Sequence, residues 1–282
     1  MSRSRESRYV TFARMALELA EATLPRYSHP KSPQTFTLPQ LAVCVLLSYY
    51  LDLSYRDTEE WLLAAGEVRQ VLGLVRVPDH STLFRTYRKL PLARWQAMSD
   101  RLLGGMGVKE DVVAVDTTSF RLENASAYYR ARSGKRHLDW LKCGYAVGCR
   151  TRLILGWKTG SGRACASDIH YLTPLRRQAR RWCVKERWFL VGDRGFDGVA
   201  TKPSDIIPVI NRMKRPPTRP DLVARREAVM AARLDGIYGQ RWQVETVYSV
   251  IKRKMGDTIR SRRPLLQRRE PILKAIAYNL HV

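Results

Sequence analysis

At 282 residues the chain is long enough for one large domain or two modest ones with a sizeable core. Its longest apolar stretch, Leu41 to Leu51, falls far short of the roughly 20 residues of a membrane span, and no apolar segment of the signal-peptide kind follows the basic start. Fifty Lys and Arg against 26 Asp and Glu give a net charge of +24, a field that draws polyanions and makes nucleic acid the expected partner.

The reading is therefore a cytoplasmic protein with no membrane partner. The excess charge is uneven: residues 1–110 are net +4, residues 111–200 net +9 and residues 201–282 net +11. Solubility alone is the plainer account of a basic surface, and no basic helix with a clean apolar face points to an anionic membrane instead. Five cysteines with no C-x-x-C pair and five scattered histidines argue against a disulfide framework or a zinc site.

A first helix is expected from about Val10 to Thr23, ended by Pro25, Pro30 and Pro33. Leu38 to Leu51 is apolar and helix-long. Ser54, with Asp57 three residues on, opens another helix. Thr82 to Leu90 follows as a helix bearing Arg85, Arg88 and Lys89, and residues 92–103 form one more. Together these predict an all-α N-terminal region, residues 1–107, closed by the Gly104-Gly105-Met106-Gly107 run. The helix with Arg85, Arg88 and Lys89 suits a DNA major groove, and a packing helix with a solvated basic face suits it equally.

From Asp111 the texture changes. Val112 to Asp116 is a short apolar run ending in an acid. Leu141 to Cys149 and Leu153 to Thr159 predict a hairpin through Arg150-Thr151-Arg152. Ile169 to Arg181 reads as a helix, Trp188 to Asp193 as a second apolar strand ending in an acid, and Ile206 to Ile210 as a further strand. Residues 212–220 read as a basic, proline-rich loop, and helical text resumes near Leu222. The order predicts an α/β domain over residues 108–282, a mixed sheet flanked by helices.

Asp116 and Asp193 each end an apolar run, where ligands gather at the carboxyl ends of strands in α/β sheets. For either Asp alone a turn or a helix cap is the better account, and two in one domain shift the balance. The helix from Tyr238 to Lys252 carries more information. With Tyr238 at zero, Arg241 falls near about −60°, Glu245 near about −20° and Lys252 near about −40°, opposite Val244, Val247, Val250 and Ile251. An exposed Arg241–Glu245 pair is the plain alternative. Three carboxylates on separate elements, with two cations beside them, suit two divalent ions and a phosphodiester. Most of the seven tryptophans are expected in the core, with one free to stack on an extruded base.

The V-V-A-V-D-T-T run at Asp116, the D-R-G-F-D run from Asp193 to Asp197, and the spacing of Tyr238, Arg241, Glu245 and Lys252 resemble the DDE transposases of prokaryotic insertion sequences. The last set matches that family's Y-(2)-R-(3)-E-(6)-K signature at every spacing, and the resemblance spans about residues 36–282. It implies an RNase H-like catalytic domain using two Mg²⁺ or Mn²⁺ ions on Asp116, Asp193 and Glu245. It further implies cleavage at terminal inverted repeats, strand transfer into target DNA, a DNA-binding helical N-terminal region and a homodimer joining two ends. Tyr238, Arg241 and Lys252 would contact DNA.

Asp197 is read as a turn residue before Gly198, and Asp168 as the cap of the helix after it. The 52 residues between Asp193 and Glu245 leave no room for a large inserted β-domain, which disfavours excision by hairpin. The apolar helix Ile272 to Leu280 stops just before Val282, as in a copy shortened at its C-terminus. A nuclease or domesticated relative that cuts without joining, and an inactive DNA-binding copy, remain open beside the transposase.

Overall fold

The structure is a computed structural model that describes residues 6–31, 33–122, 132, 140–160, 167–185, 187–198, 201–202, 204–210 and 219–282. The chain divides into two compact units. One comprises Met1–Met106, Lys254–Gly256 and Leu273–Val282; the other comprises Gly107–Arg253 and Asp257–Ile272.

The first unit is built on helices α1 (Arg8–Glu21), α2 (Leu38–Tyr50), α3 (Tyr55–Ala64), α4 (Gly66–Val71), α5 (His80–Lys89) and α6 (Leu92–Gly105). Helix α2 is apolar on all sides and nearly all of it is buried, as a central helix should be. Its start is set by a capping box: the Thr37 hydroxyl accepts the Gln40 N–H while the Gln40 side chain accepts the Thr37 N–H. Ser54 caps α3 by accepting the Asp57 N–H, as its sequence suggests. Helix α4 had no sequence signal, being short and bounded by no strong cap. Helix α6 runs through Gly104 and Gly105; the chain turns only at Gly107, whose φ of 60° suits glycine.

The second unit holds a mixed sheet in the order β3-β2-β1-β4-β5, with β6 paired to the far end of β1. Its strands are β1 (Val112–Leu122), β2 (Trp140–Gly148), β3 (Ile154–Gly160), β4 (Phe189–Gly192), β5 (Asp205–Ile206) and β6 (Thr258–Ile259). Strands β1, β2 and β3 pair antiparallel in succession, whereas β1–β4, β4–β5 and β1–β6 are parallel. The helices are α7 (Ile169–Ala179), α8 (Pro220–Leu234), α9 (Trp242–Met255), α10 (Pro264–Gln267) and α11 (Glu270–His281), the last running on into the first unit.

Three expectations need correction. The strand through Asp116 does not end there: β1 continues to Leu122 because β2 and β6 go on supplying hydrogen-bond partners after the apolar run stops. The expected strand from Ile206 to Ile210 is only the pair Asp205–Ile206, since β4, its neighbour among the described residues, offers two partner residues. Most tryptophans are not core: Trp95 and Trp157 are buried, Trp61, Trp182 and Trp188 are half-buried, and Trp140 and Trp242 are more than half exposed. Cys44, Cys143, Cys149 and Cys183 are free and buried, and burial pushes the Cys44, Cys149 and Cys183 thiols up to about 12. Residues 212–218 of the proline-rich loop and Cys165 lie outside the described residues, and Pro220, expected in that loop, opens α8 instead.

Two faces of the sheet are packed differently. Register pairs Thr117 with Gly144, and a Cβ on Gly144 would stand 2.9 Å from the Tyr171 ring of α7, so glycine is what lets α7 close on that face. One residue earlier, Asp116 pairs with Tyr145, whose ring stacks on Tyr248 of α9 at 5.1 Å. Asp116 therefore faces α9, and Thr117 faces α7.

At the start of the sheet a wholly buried Glu110 accepts the backbone N–H groups of Arg150 and Thr151, each at 3.0 Å, and so holds the β2–β3 turn. Glu110→Ala leaves both donors without their charged acceptor. The urea midpoint should fall by the equivalent of about 2–3 kcal/mol with an unchanged slope; an unchanged midpoint would contradict this role.

Candidate active site

Parallel pairing aligns Val115 of β1 with Gly192 of β4. The next residues are Asp116 and Asp193, so two carboxylates stand side by side on strands about 4.8 Å apart. Strand β4 stops at Gly192, and Asp193 caps the turn after it by accepting the Gly195 N–H at 2.9 Å. Asp116 accepts the N–H of Thr117 at 2.7 Å.

Glu245 comes from the first turn of α9, which packs through Val244, Val247 and Ile251, all fully buried. It is half exposed and pairs with Arg241 at 2.6 Å. The four groups share one electrostatic field. Burial, with the charges of Asp193 and Glu245, pushes the Asp116 carboxyl up to about 6, against the opposing pull of the Thr117 N–H and Arg241.

The expected helix from Tyr238 is two pieces. Tyr238–Arg241 is a 3-10 turn lying against β1 and β4, and α9 begins only at Trp242. Tyr238 lies under the Arg233 guanidinium, 5.2 Å from the ring centre. Lys252 lies apart from the carboxylates, two helical turns beyond Glu245, with its ammonium 5.7 Å over the Phe120 ring. Arg85, Arg88 and Lys89 belong to α5 of the first unit, where all three are exposed.

The transposase DDE domain model matches residues 107–280, most of the chain. The chain belongs to the DDE transposase family. A solved piggyBac transposase synaptic complex with hairpin DNA matches over 97% of this chain and 73% of that one, at 10% identity and a TM-score of 0.46. No curated protein matches.

In this DDE transposase chain, four residues beyond the acidic set shape the site. Tyr248 is buried on the α9 face toward the sheet; its hydroxyl donates to the Asp116 carbonyl at 2.7 Å and accepts the Tyr145 N–H at 2.9 Å. This locks α9 to β1 and β2 beside Asp116. A tyrosine three residues after Glu245 carries no signal of that contact in one dimension.

Asp168 does not cap α7 with its side chain. It accepts the Thr117 hydroxyl and pairs with Lys142 at 2.7 Å, because Thr117 and Lys142 present the α7 face of β1 and β2. Gly195 is tied to both acids: a Cβ there would lie 2.5 Å from Asp168 Oδ2 and 3.1 Å from Asp193 Oδ1. Asp197 is more than a turn residue. It pairs with the buried Arg225 of α8 at 2.7 Å and accepts the Ile210 N–H, which ties α8 to the turn after Asp193.

Among the described residues no group of three or more His, Cys, Asp or Glu is drawn tightly enough to hold a metal ion. The donor chemistry still fits a hard divalent ion: two adjacent carboxylates, one of them reluctant to ionise, and a third that Arg241 holds aside.

Two outcomes are expected. Between its ordinary 3.8 and about 6, folded Asp116 keeps a proton that the unfolded chain has lost. Stability therefore falls as pH rises through that window and stays lower above it. Metal-free Asp116→Asn should melt higher than wild type at pH 8, the gap closing toward pH 4; equal melting curves at both would show that the site carries no such strain. Gly195→Ala forces a methyl against Asp168 and should cost about 1–3 kcal/mol. Adding Asp168→Ala should recover part of that loss in a double-mutant cycle, and strict additivity would show that the two do not touch.

Proposed function

We propose that the chain is an insertion-sequence transposase that cuts DNA at terminal inverted repeats and transfers the strand into target DNA. The observation that carries this reading is the adjacency of Asp116 and Asp193 on β1 and β4, with Glu245 in the same field, in a chain of the DDE transposase family. The β3-β2-β1-β4-β5 order with helices on both faces supports an RNase H-like catalytic domain, residues 108–282, and the helices of residues 1–107 support an all-α DNA-binding region. The active form is a homodimer that joins two ends, and it works in the nucleoid.

Asp116 and Asp193 would hold two Mg²⁺ or Mn²⁺ ions, with Glu245 completing the set. Such ions neutralise a phosphate in transfer and make water or a hydroxyl nucleophilic. Glu245 is half exposed, so it can turn from Arg241 toward the two aspartates without unpacking α9. Arg241, released, is a fork that grips a phosphate oxygen pair beside the site. Tyr248 and Gly195 hold Asp116 and Asp193 at their places by backbone contact. Tyr238 and Lys252 extend the DNA-binding surface, and Arg85, Arg88 and Lys89 engage duplex DNA from α5.

The test is cutting of a labelled duplex carrying the element's own end, with Mg²⁺ or Mn²⁺. Asp193→Ala and Glu245→Ala should each lower the rate by at least about 10²–10³-fold while DNA binding persists. Cutting that survives both substitutions would sink the assignment. Cutting without joining to target DNA would favour a nuclease, and binding without cutting by any form would favour an inactive copy.

A further inference from the structure

The end of the sheet away from the carboxylates is gathered around Glu110. Its backbone receives the Val184 N–H at 2.9 Å and gives its own N–H to the Trp182 carbonyl at 2.8 Å. Its carboxylate takes the N–H groups of Arg150 and Thr151. The backbone carbonyl of the next residue, Asp111, accepts the Phe189 N–H at 2.7 Å. The Arg150 guanidinium donates to the Lys109 carbonyl. Three segments distant in sequence, residues 109–111, 149–152 and 180–189, are thereby drawn into one place.

That place is strongly basic. Lys109, Arg150, Arg152, Arg180, Lys185 and Arg187 are all exposed there. Asp111 is the one exposed acid among the described residues of these segments, and Glu110 spends its charge on backbone donors inside. Arg152 adds an independent sign. It sits at φ 59°, a left-handed position that glycine or asparagine fills at less cost. An arginine held there against its conformational preference points to a use for the guanidinium.

Asp116 lies six residues beyond Glu110, about 20 Å along the extended chain. The basic end is thus separate from the carboxylates. We propose that this end of the sheet is a second site for the phosphate backbone of duplex DNA, apart from the duplex brought to Asp116 and Asp193, so that one chain holds two stretches of DNA. This rests on the reading that DNA is the substrate. The partner is recognised by charge and by guanidinium forks on phosphate oxygens, without base contacts, so binding there is independent of sequence and sensitive to salt.

The test is equilibrium binding of the full chain to a mixed-sequence duplex without metal, across a salt series. Each lost phosphate contact lowers the slope of log K against log salt by about 0.9. The triple variant Arg150→Ala/Lys185→Ala/Arg187→Ala should lose about 2–3 from that slope, with an unchanged melting curve as the check on folding. Arg150→Lys/Arg187→Lys, which keeps the charge, should retain most of it. A control that removes three exposed cations elsewhere in the second unit, Arg226→Ala/Arg262→Ala/Arg263→Ala, should change it little. An unchanged slope in the first triple variant, or an equal loss in the control, overturns the proposal. Metal-dependent cutting of a short end duplex should be the same in the triple variant and wild type. Because the binding measurement needs neither metal nor cutting, absence of cutting in every form would count against the catalytic reading and leave the binding result to decide this one.

Discussion

Two carboxylates forced side by side dominate the second unit. The β1–β4 pairing sets Asp116 and Asp193 on adjacent strands with about a strand spacing between them, partly shielded from water. The proton affinity of Asp116 is raised chiefly by its burial, and further by the like charges of Asp193 and Glu245. The surrounding residues answer this conflict. Arg241 approaches from the turn before α9, backbone N–H groups of Thr117 and Gly195 point at the two carboxylates, and Glu245 stands at the edge where solvent screens it.

Holding such an arrangement requires that neither strand nor helix relax away from it. The Tyr248 hydroxyl serves the Asp116 carbonyl and the Tyr145 N–H at once, so moving α9 would leave two buried backbone groups unsatisfied. On the opposite face, Asp168 bonds Thr117 and Lys142 and fills the space beside Gly195. The buried Arg225–Asp197 pair anchors α8 to the turn that follows Asp193. Removing one partner of that pair would strand the other's charge, so the link is rigid whatever its net contribution to stability.

Glu110 plays the matching role at the start of the sheet. A fully buried carboxylate is tolerated because it receives backbone N–H groups from the β2–β3 turn. The result is a turn of defined shape carrying arginines, and a sheet whose two ends differ in sign. Acids collect where β4 stops, and cations collect where β1 and β4 begin.

Periodicity and punctuation alone determined much of this chain: the helix from Leu38, the helix opened by Ser54, the β2–β3 hairpin, the strand before Asp193, and the buried face of Val244, Val247 and Ile251. These follow from local rules, in which capping groups and the apolar repeat lie within a few residues of what they control. The spacing of Tyr238, Arg241, Glu245 and Lys252 was equally plain, although the chain breaks into a 3-10 turn before α9 and leaves Lys252 over Phe120. Only the tertiary structure decided where β1 ends, since that depends on partners supplied by β2 and β6. It alone placed Asp168 on Thr117 and Lys142, Asp197 on Arg225, and Tyr248 on Asp116. Each of these contacts joins residues dozens of positions apart, and a polar side chain's partner is set by what folding brings beside it.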